Sequence, residues 1–157
     1  MNLLAILSVL ALVIGTTFVA YSNFDLGSMT FLENPAVTFH PPYAFQAGDW
    51  VSTLNAFFFV FLFSMLFFGL SAPIAMGLEG AKFGSLLSTG TVHAYDYVFV
   101  IPQLLGAYAA ILLGQGVLRD FGGKETVFVN WGGAFKFFAA GLLLTVVLIA
   151  LRSMVVN

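Results

Sequence analysis

The sequence predicts an all-α fold, a polytopic transmembrane helical bundle with four spans and a fifth segment that is short and broken or re-entrant. Three observations predict it. Of 157 residues, 61% are hydrophobic and the mean hydropathy is +1.03. Only 8% are charged, whereas a soluble domain carries about 25% so that its surface is wetted. The apolar residues also fall into uncharged runs of about 20, the length a helix needs to cross a hydrocarbon core of ~30 Å.

The first run covers residues 1–24 and ends at Asp25, the first charge. A cleaved signal peptide would need a basic start and a shorter apolar stretch, and no Lys or Arg precedes Lys82. Residues 3–21 are therefore read as a membrane helix. Residues 22–50 form a long polar connection that carries Asp25, Glu33 and Asp49, no basic residue, and prolines at 35, 41 and 42. An acidic loop without Lys or Arg belongs on the outer side. Phe39, Tyr43 and Phe45 would rest this loop against the bilayer or the bundle.

The second run, 50–78, opens on Trp50 as an interfacial aromatic and yields a span over 51–71. The segment 73–92 holds Glu79 and Lys82 at i, i+3, one helix face on which the charges can neutralise each other. Its apolar part, 74–92, fits a short span, a re-entrant piece or a cytoplasmic amphipathic turn. The third span is 97–118, where Pro102 is expected to kink the helix. The fourth is 132–151, marked by Trp131 and by Lys136, which is close enough to the interface to snorkel. One membrane domain of residues 1–157 results.

Basic residues orient it. If 73–92 spans and the N-terminus is cytoplasmic, Arg119, Lys124 and Lys136 gather inside and Arg152 lies outside. Without that crossing the bias reverses. The positive-inside rule thus prefers an odd number of crossings in the cell membrane, with a cytoplasmic N-terminus and the loop 22–50 outside.

Function classes narrow by composition. A net charge of −2 offers no basic surface for nucleic acid. Zero cysteines remove disulfides and thiolate chemistry, and two histidines cannot build a zinc or haem site without carboxylates. No phosphate loop, dinucleotide motif, HExxH or GxSxG is present. No metal or cofactor is expected, and the chain reads as non-enzymatic.

An ionisable side chain in hydrocarbon costs about 2.5–3.5 kcal/mol on insertion scales, so each one is a candidate site. Glu79, Lys82, His93 and Asp96 fall within eighteen residues and form the candidate polar cluster. They read as a proton or ion relay, as interfacial residues satisfied by water, or as an ion pair that holds a broken helix. Asn55, Ser64, Ser71, Gln103 and Gln115 are candidates for hydrogen bonds between helices. Gly80 with Gly84, and Gly106, Ala110 and Gly114 at spacings of four, are candidate close-packing faces, within one bundle or between subunits. The nineteen phenylalanines read as lipid-facing or bundle-filling.

Over residues 51–118 these positions resemble the stage II sporulation protein M family, small polytopic membrane proteins of bacteria and archaea. The family has an Asn-bearing second helix, an Asn-Gly with a further Gly, then a histidine-led helix with an acidic residue and a proline. Asn55, Glu79-Gly80 with Gly84, and His93, Asp96 and Pro102 leading into QLLGAYAAILLG stand at those places. Glu79 replaces the Asn, Ala94 stands where a Gly follows the histidine, and Asp96 and Pro102 are shifted. The resemblance implies five spans and a non-enzymatic membrane component of an envelope-remodelling assembly, in which partners supply the peptidoglycan enzymes.

Two functions follow as expectations. One is a structural or scaffolding component that lies in the lipid bilayer and self-associates or assembles with membrane partners. The other is a small transporter or channel subunit with a polar site between Glu79 and Asp96.

Overall fold

The computed structural model describes residues 3–22, 50–89, 98–121 and 131–156, and these are helical apart from one tight connection. The order is α1 (Leu3–Ser22), α2 (Trp50–Met65), a 3₁₀ turn (Leu66–Gly69), α3 (Ala72–Thr89), α4 (Val100–Phe121) and α5 (Trp131–Val156). The five helices are joined by no strand among the described residues. The loop expected outside, apart from its ends at Ser22 and Trp50, lies beyond the described residues, as do His93 and Asp96.

Neighbouring residues set the helix directions. Gly77 lies on Ala11, Gly80 on Leu12 and Gly84 on Thr16, so α1 and α3 run parallel. Gly106 lies on Phe57 and Gly114 on Phe68, so α2 and α4 also run parallel. Tyr108 meets Phe137 edge-on at 4.8 Å, whereas Gly141 lies against Leu105, so α4 and α5 are antiparallel. The α1–α4 seam is lined by Ala5 and Ser8 beside Leu105 and Tyr108, and further along by Thr16 beside Val100, again antiparallel. Successive helices therefore alternate in direction. Val60, Met76 and Ala107 form a core where α2, α3 and α4 meet, with Leu12 of α1 packed against it. A second apolar layer joins α2 to α5 through Phe57, Phe58 and Phe61, each against Phe138.

Among the described residues, three helices are long and apolar enough to cross a membrane: Leu3–Ser22, Val100–Val117 and Trp131–Leu151. Of the four spans expected, the one over 51–71 is not a single continuous helix. The uncharged run 50–78 is not one helix, because α2 stops after 16 residues, about 24 Å at 1.5 Å per residue. Phe67, Phe68 and Gly69 have φ of 53°, 58° and 89°, and no right-handed helix continues through them. A side chain in the left-handed region costs about 1–2 kcal/mol, so the two phenylalanines need local compensation. Ser71 supplies it, with its hydroxyl shared between the carbonyls of Phe63 at 2.5 Å and Leu66 at 2.6 Å. Gly69 is required twice over, by its φ and by the Ile111 Cα that a Cβ would meet at 3.0 Å.

Ser71→Ala is accordingly expected to lower stability by about 0.5–1.5 kcal/mol, the net worth of a typical intramolecular hydrogen bond. Unfolding in detergent followed by helical circular dichroism measures it. An unchanged midpoint would show that the turn does not depend on this hydroxyl.

Pro102 also departs from expectation. It is the third residue of α4, in the first turn, where its missing N–H deprives no intrahelical carbonyl. The proline helps to start the helix and does not kink it.

Candidate functional site

Glu79 is the buried charge of the bundle, 4% exposed on α3. Its Oε1 accepts a hydrogen bond from Lys82 Nζ at 2.7 Å, one turn along the same helix. Its Oε2 accepts one from Gln103 Nε2 of α4 at 3.0 Å. Lys82 is 18% exposed, and its ammonium lies 5.8 Å from the centre of the Phe59 ring of α2. Within ~6 Å an aromatic face attracts a cation. The cluster thus ties α3 to α4 by a hydrogen bond and to α2 by a cation–ring contact.

Its position along the helices is fixed by the glycines. Glu79 sits between Gly77, which abuts Ala11, and Gly80, which abuts Leu12. It is therefore level with the middle of α1 (Leu3–Ser22). On the other side, Gly141 abuts Pro102 and Leu105, so Gln103 is level with the middle of the Trp131–Leu151 stretch. The carboxylate lies half-way along α1 and α5, and level with the first turn of α4.

The two grooves of the α1–α4 seam are lined by side chains such as Leu12, Val13, Leu104 and Phe83. Of the hydroxyls among the lining, those of Ser8, Thr16 and Thr17 donate to the carbonyls of Leu4, Leu12 and Val13 of their own helix, and Tyr108 adds a phenol. Those three offer little polarity to a bound molecule. Ser64 of α2 is fully buried and its hydroxyl has no hydrogen-bond partner among the described residues. No group of three His, Asp or Glu that could hold a metal gathers among the described residues.

Of the residues singled out in the sequence, the structure joins Glu79 to Lys82 and adds Gln103. Asn55, expected at a helix contact, is exposed on α2. Gly80 and Gly84 are pressed on the backbone of Leu12 and Thr16, so closely that a Cβ at either would collide with the carbonyl oxygen. Gly106 meets the Phe57 ring and Gly114 the backbone of Phe68, while Ala110 is fully buried between them on α4. These small faces are all occupied inside the chain. Sequence reasoning missed the partner face on α1. Its signal was Ala11 and Gly15 at a spacing of four, matched by Gly77 and Ala81 on α3. No protein-family model, curated protein or solved structure matches the chain.

Proposed function

We propose that the chain is a non-enzymatic, multi-pass protein of the cell membrane that acts as a structural component and assembles with itself or with envelope partners. The stage II sporulation protein M resemblance of residues 51–118 points the same way. The observation that carries the reading is the closure of the cluster: Glu79 is held on both oxygens, by Lys82 and by Gln103, inside tightly packed helices. Such a bundle is built to be rigid. Its outer faces are apolar, with Leu10, Ile14 and Phe18 exposed on α1 and Phe135, Leu143 and Val146 on α5, as a lipid-facing surface requires.

Five crossings are proposed, with α2 and α3 as a hairpin. The alternating directions place the start of α1, the α2–α3 turn, the end of α4 and the start of α5 at one end. Arg119 near the end of α4 and Lys136 near the start of α5 belong to that end, which supports a cytoplasmic N-terminus by the positive-inside rule. The second reading, a transporter or channel subunit, is favoured by one observation only, the charge of Glu79 half-way along the bundle.

Reconstitution in liposomes separates the two. A structural component leaves ion and proton leakage equal to that of empty liposomes, and light scattering in mild detergent gives a mass above one 16.9 kDa chain when the protein self-associates. A flux that Glu79→Gln abolishes would replace this reading by the transporter. A strict monomer that also captures no envelope protein by crosslinking in its own membrane would count against assembly.

A further inference from the structure

We propose that the outer face of α2 is the surface on which a second copy of the chain docks, with the Asn55 amides of the two copies hydrogen-bonded to each other. The proposal rests on the reading of the chain as a self-associating membrane protein and names the face that does it.

α2 has two faces of different character. Thr53, Ala56, Phe57, Val60 and Ser64 are buried in the bundle. Asn55, Phe58, Leu62 and Met65 are exposed on the opposite side. The exposed four follow one another at spacings of three, four and three residues, the a and d positions of a heptad. That repeat keeps a seam turned towards a neighbouring helix, here over about 15 Å of α2.

One residue of the seam does not suit lipid. The Asn55 carboxamide carries two N–H donors and a carbonyl acceptor, and it has no hydrogen-bond partner among the described residues. Its depth follows from its neighbour on the helix. A Cβ at Gly141 would meet the Phe57 ring at 2.8 Å, and Gly141 is the middle residue of the apolar stretch Trp131–Leu151. Asn55 precedes Phe57 by two residues, a rise of about 3 Å. The amide is therefore turned towards hydrocarbon near half-depth, where an unmet polar group is costly. Thr17, exposed on α1, avoids that cost by donating to the carbonyls of Val13 and Ile14 of its own helix.

Symmetry identifies the occupant. Two copies inserted in the same direction hold Asn55 at the same depth, and a two-fold axis along the membrane normal sets identical residues of the two α2 helices face to face. A residue that meets itself must be its own complement. A carboxamide is, because each N–H donates to the carbonyl oxygen of the other and both amides gain a partner. Phe58, Leu62 and Met65 pack in the same seam, as in the left-handed helix pairs common in membranes. A single Asn at an a position also fixes the register, since a slip of one heptad would set the amide against Leu62.

Single cysteines in the full-length protein in liposomes test the face, as the chain has none of its own. Under mild oxidation Leu62→Cys should give a disulfide-linked species of twice 16.9 kDa. Ile14→Cys on α1 and Leu143→Cys on α5, comparably exposed, should remain single chains. Energy transfer between labelled copies at increasing lipid dilution reads the dissociation constant. Asn55→Leu, which leaves the buried face of α2 untouched, should raise it about tenfold. Asn55→Gln keeps an amide and should retain most of the association. A dissociation constant unchanged by Asn55→Leu would overturn the proposal. So would crosslinking through Ile14→Cys or Leu143→Cys in place of Leu62→Cys, although the chain would then still self-associate by another face. No crosslink from any of the three, with no energy transfer, would overturn the proposal and self-association together.

Discussion

Gly80→Val is expected to destroy most of the folded population, with a loss of about 3 kcal/mol or more. The reason is backbone against backbone. A Cβ at residue 80 meets the carbonyl oxygen, carbonyl carbon and Cα of Leu12, none of which can move aside as a side-chain tip could. The two helices would have to separate, and with them the Ala11–Gly77 and Thr16–Gly84 contacts that run the length of the interface. Gly84→Val should behave alike. Gly132→Ala is the matched control, since a Cβ there meets nothing within 4 Å, and it should be neutral or slightly stabilising. Denaturant titration in detergent micelles reads all three. A Gly80→Val protein as stable as Gly132→Ala would mean that α1 does not pack on α3 as described.

The second large effect concerns the ion pair. Lys82→Met leaves the Glu79 carboxyl buried without its cation and should lower stability by about 3–5 kcal/mol, the usual consequence of removing one partner of a buried pair. Removing both charges should be milder. Glu79→Leu with Lys82→Met replaces the pair by apolar groups of similar size, and such replacements are often neutral or stabilising. The comparison forms a double-mutant cycle, and a strongly positive coupling is expected from groups at 2.7 Å. Gln103 adds to the test: in the double variant its amide loses the Glu79 acceptor, and Gln103→Leu added on top should recover part of any residual deficit. Additive single effects would show that Glu79 and Lys82 do not interact across the apolar interior.

The helices were legible because the solvent writes them. α1 is an uninterrupted apolar stretch ended by the first polar loop, and the expected 3–21 matches Leu3–Ser22. The Glu79–Lys82 pair was equally plain, because i, i+3 spacing on a helix brings the two side chains together. The break between α2 and α3 was visible only as the Gly69 and Pro73 of a phenylalanine-rich run. Its actual closure depends on two phenylalanines with positive φ and on one serine hydroxyl serving two carbonyls, and no local preference announces either. Pro102 misled because a proline kinks or starts a helix according to the helix boundary, and the boundary at Val100 is a tertiary fact. Gln103 was recognised as an interhelical donor, yet its partner lies 24 residues away, on a helix whose crossing was itself in question. The same holds for the small-residue faces. Their spacing says that something approaches closely, and only packing says that the neighbour is another helix of the same chain.

The central claim is an alternating five-helix bundle in which α2 and α3 cross as a hairpin and carry Glu79 to half-depth. The chain has no cysteine, so single cysteines report their side without background. Leu3, Phe67 and Trp131 at one end, and Ser22, Ser88 and Met154 at the other, are exposed positions suited to the substitution. In oriented membrane vesicles, a membrane-impermeant maleimide should label the first three cysteines from one face and the last three from the opposite face. Ser88→Cys labelled from the same face as Leu3→Cys would contradict the account, because α3 would not then run back across the membrane.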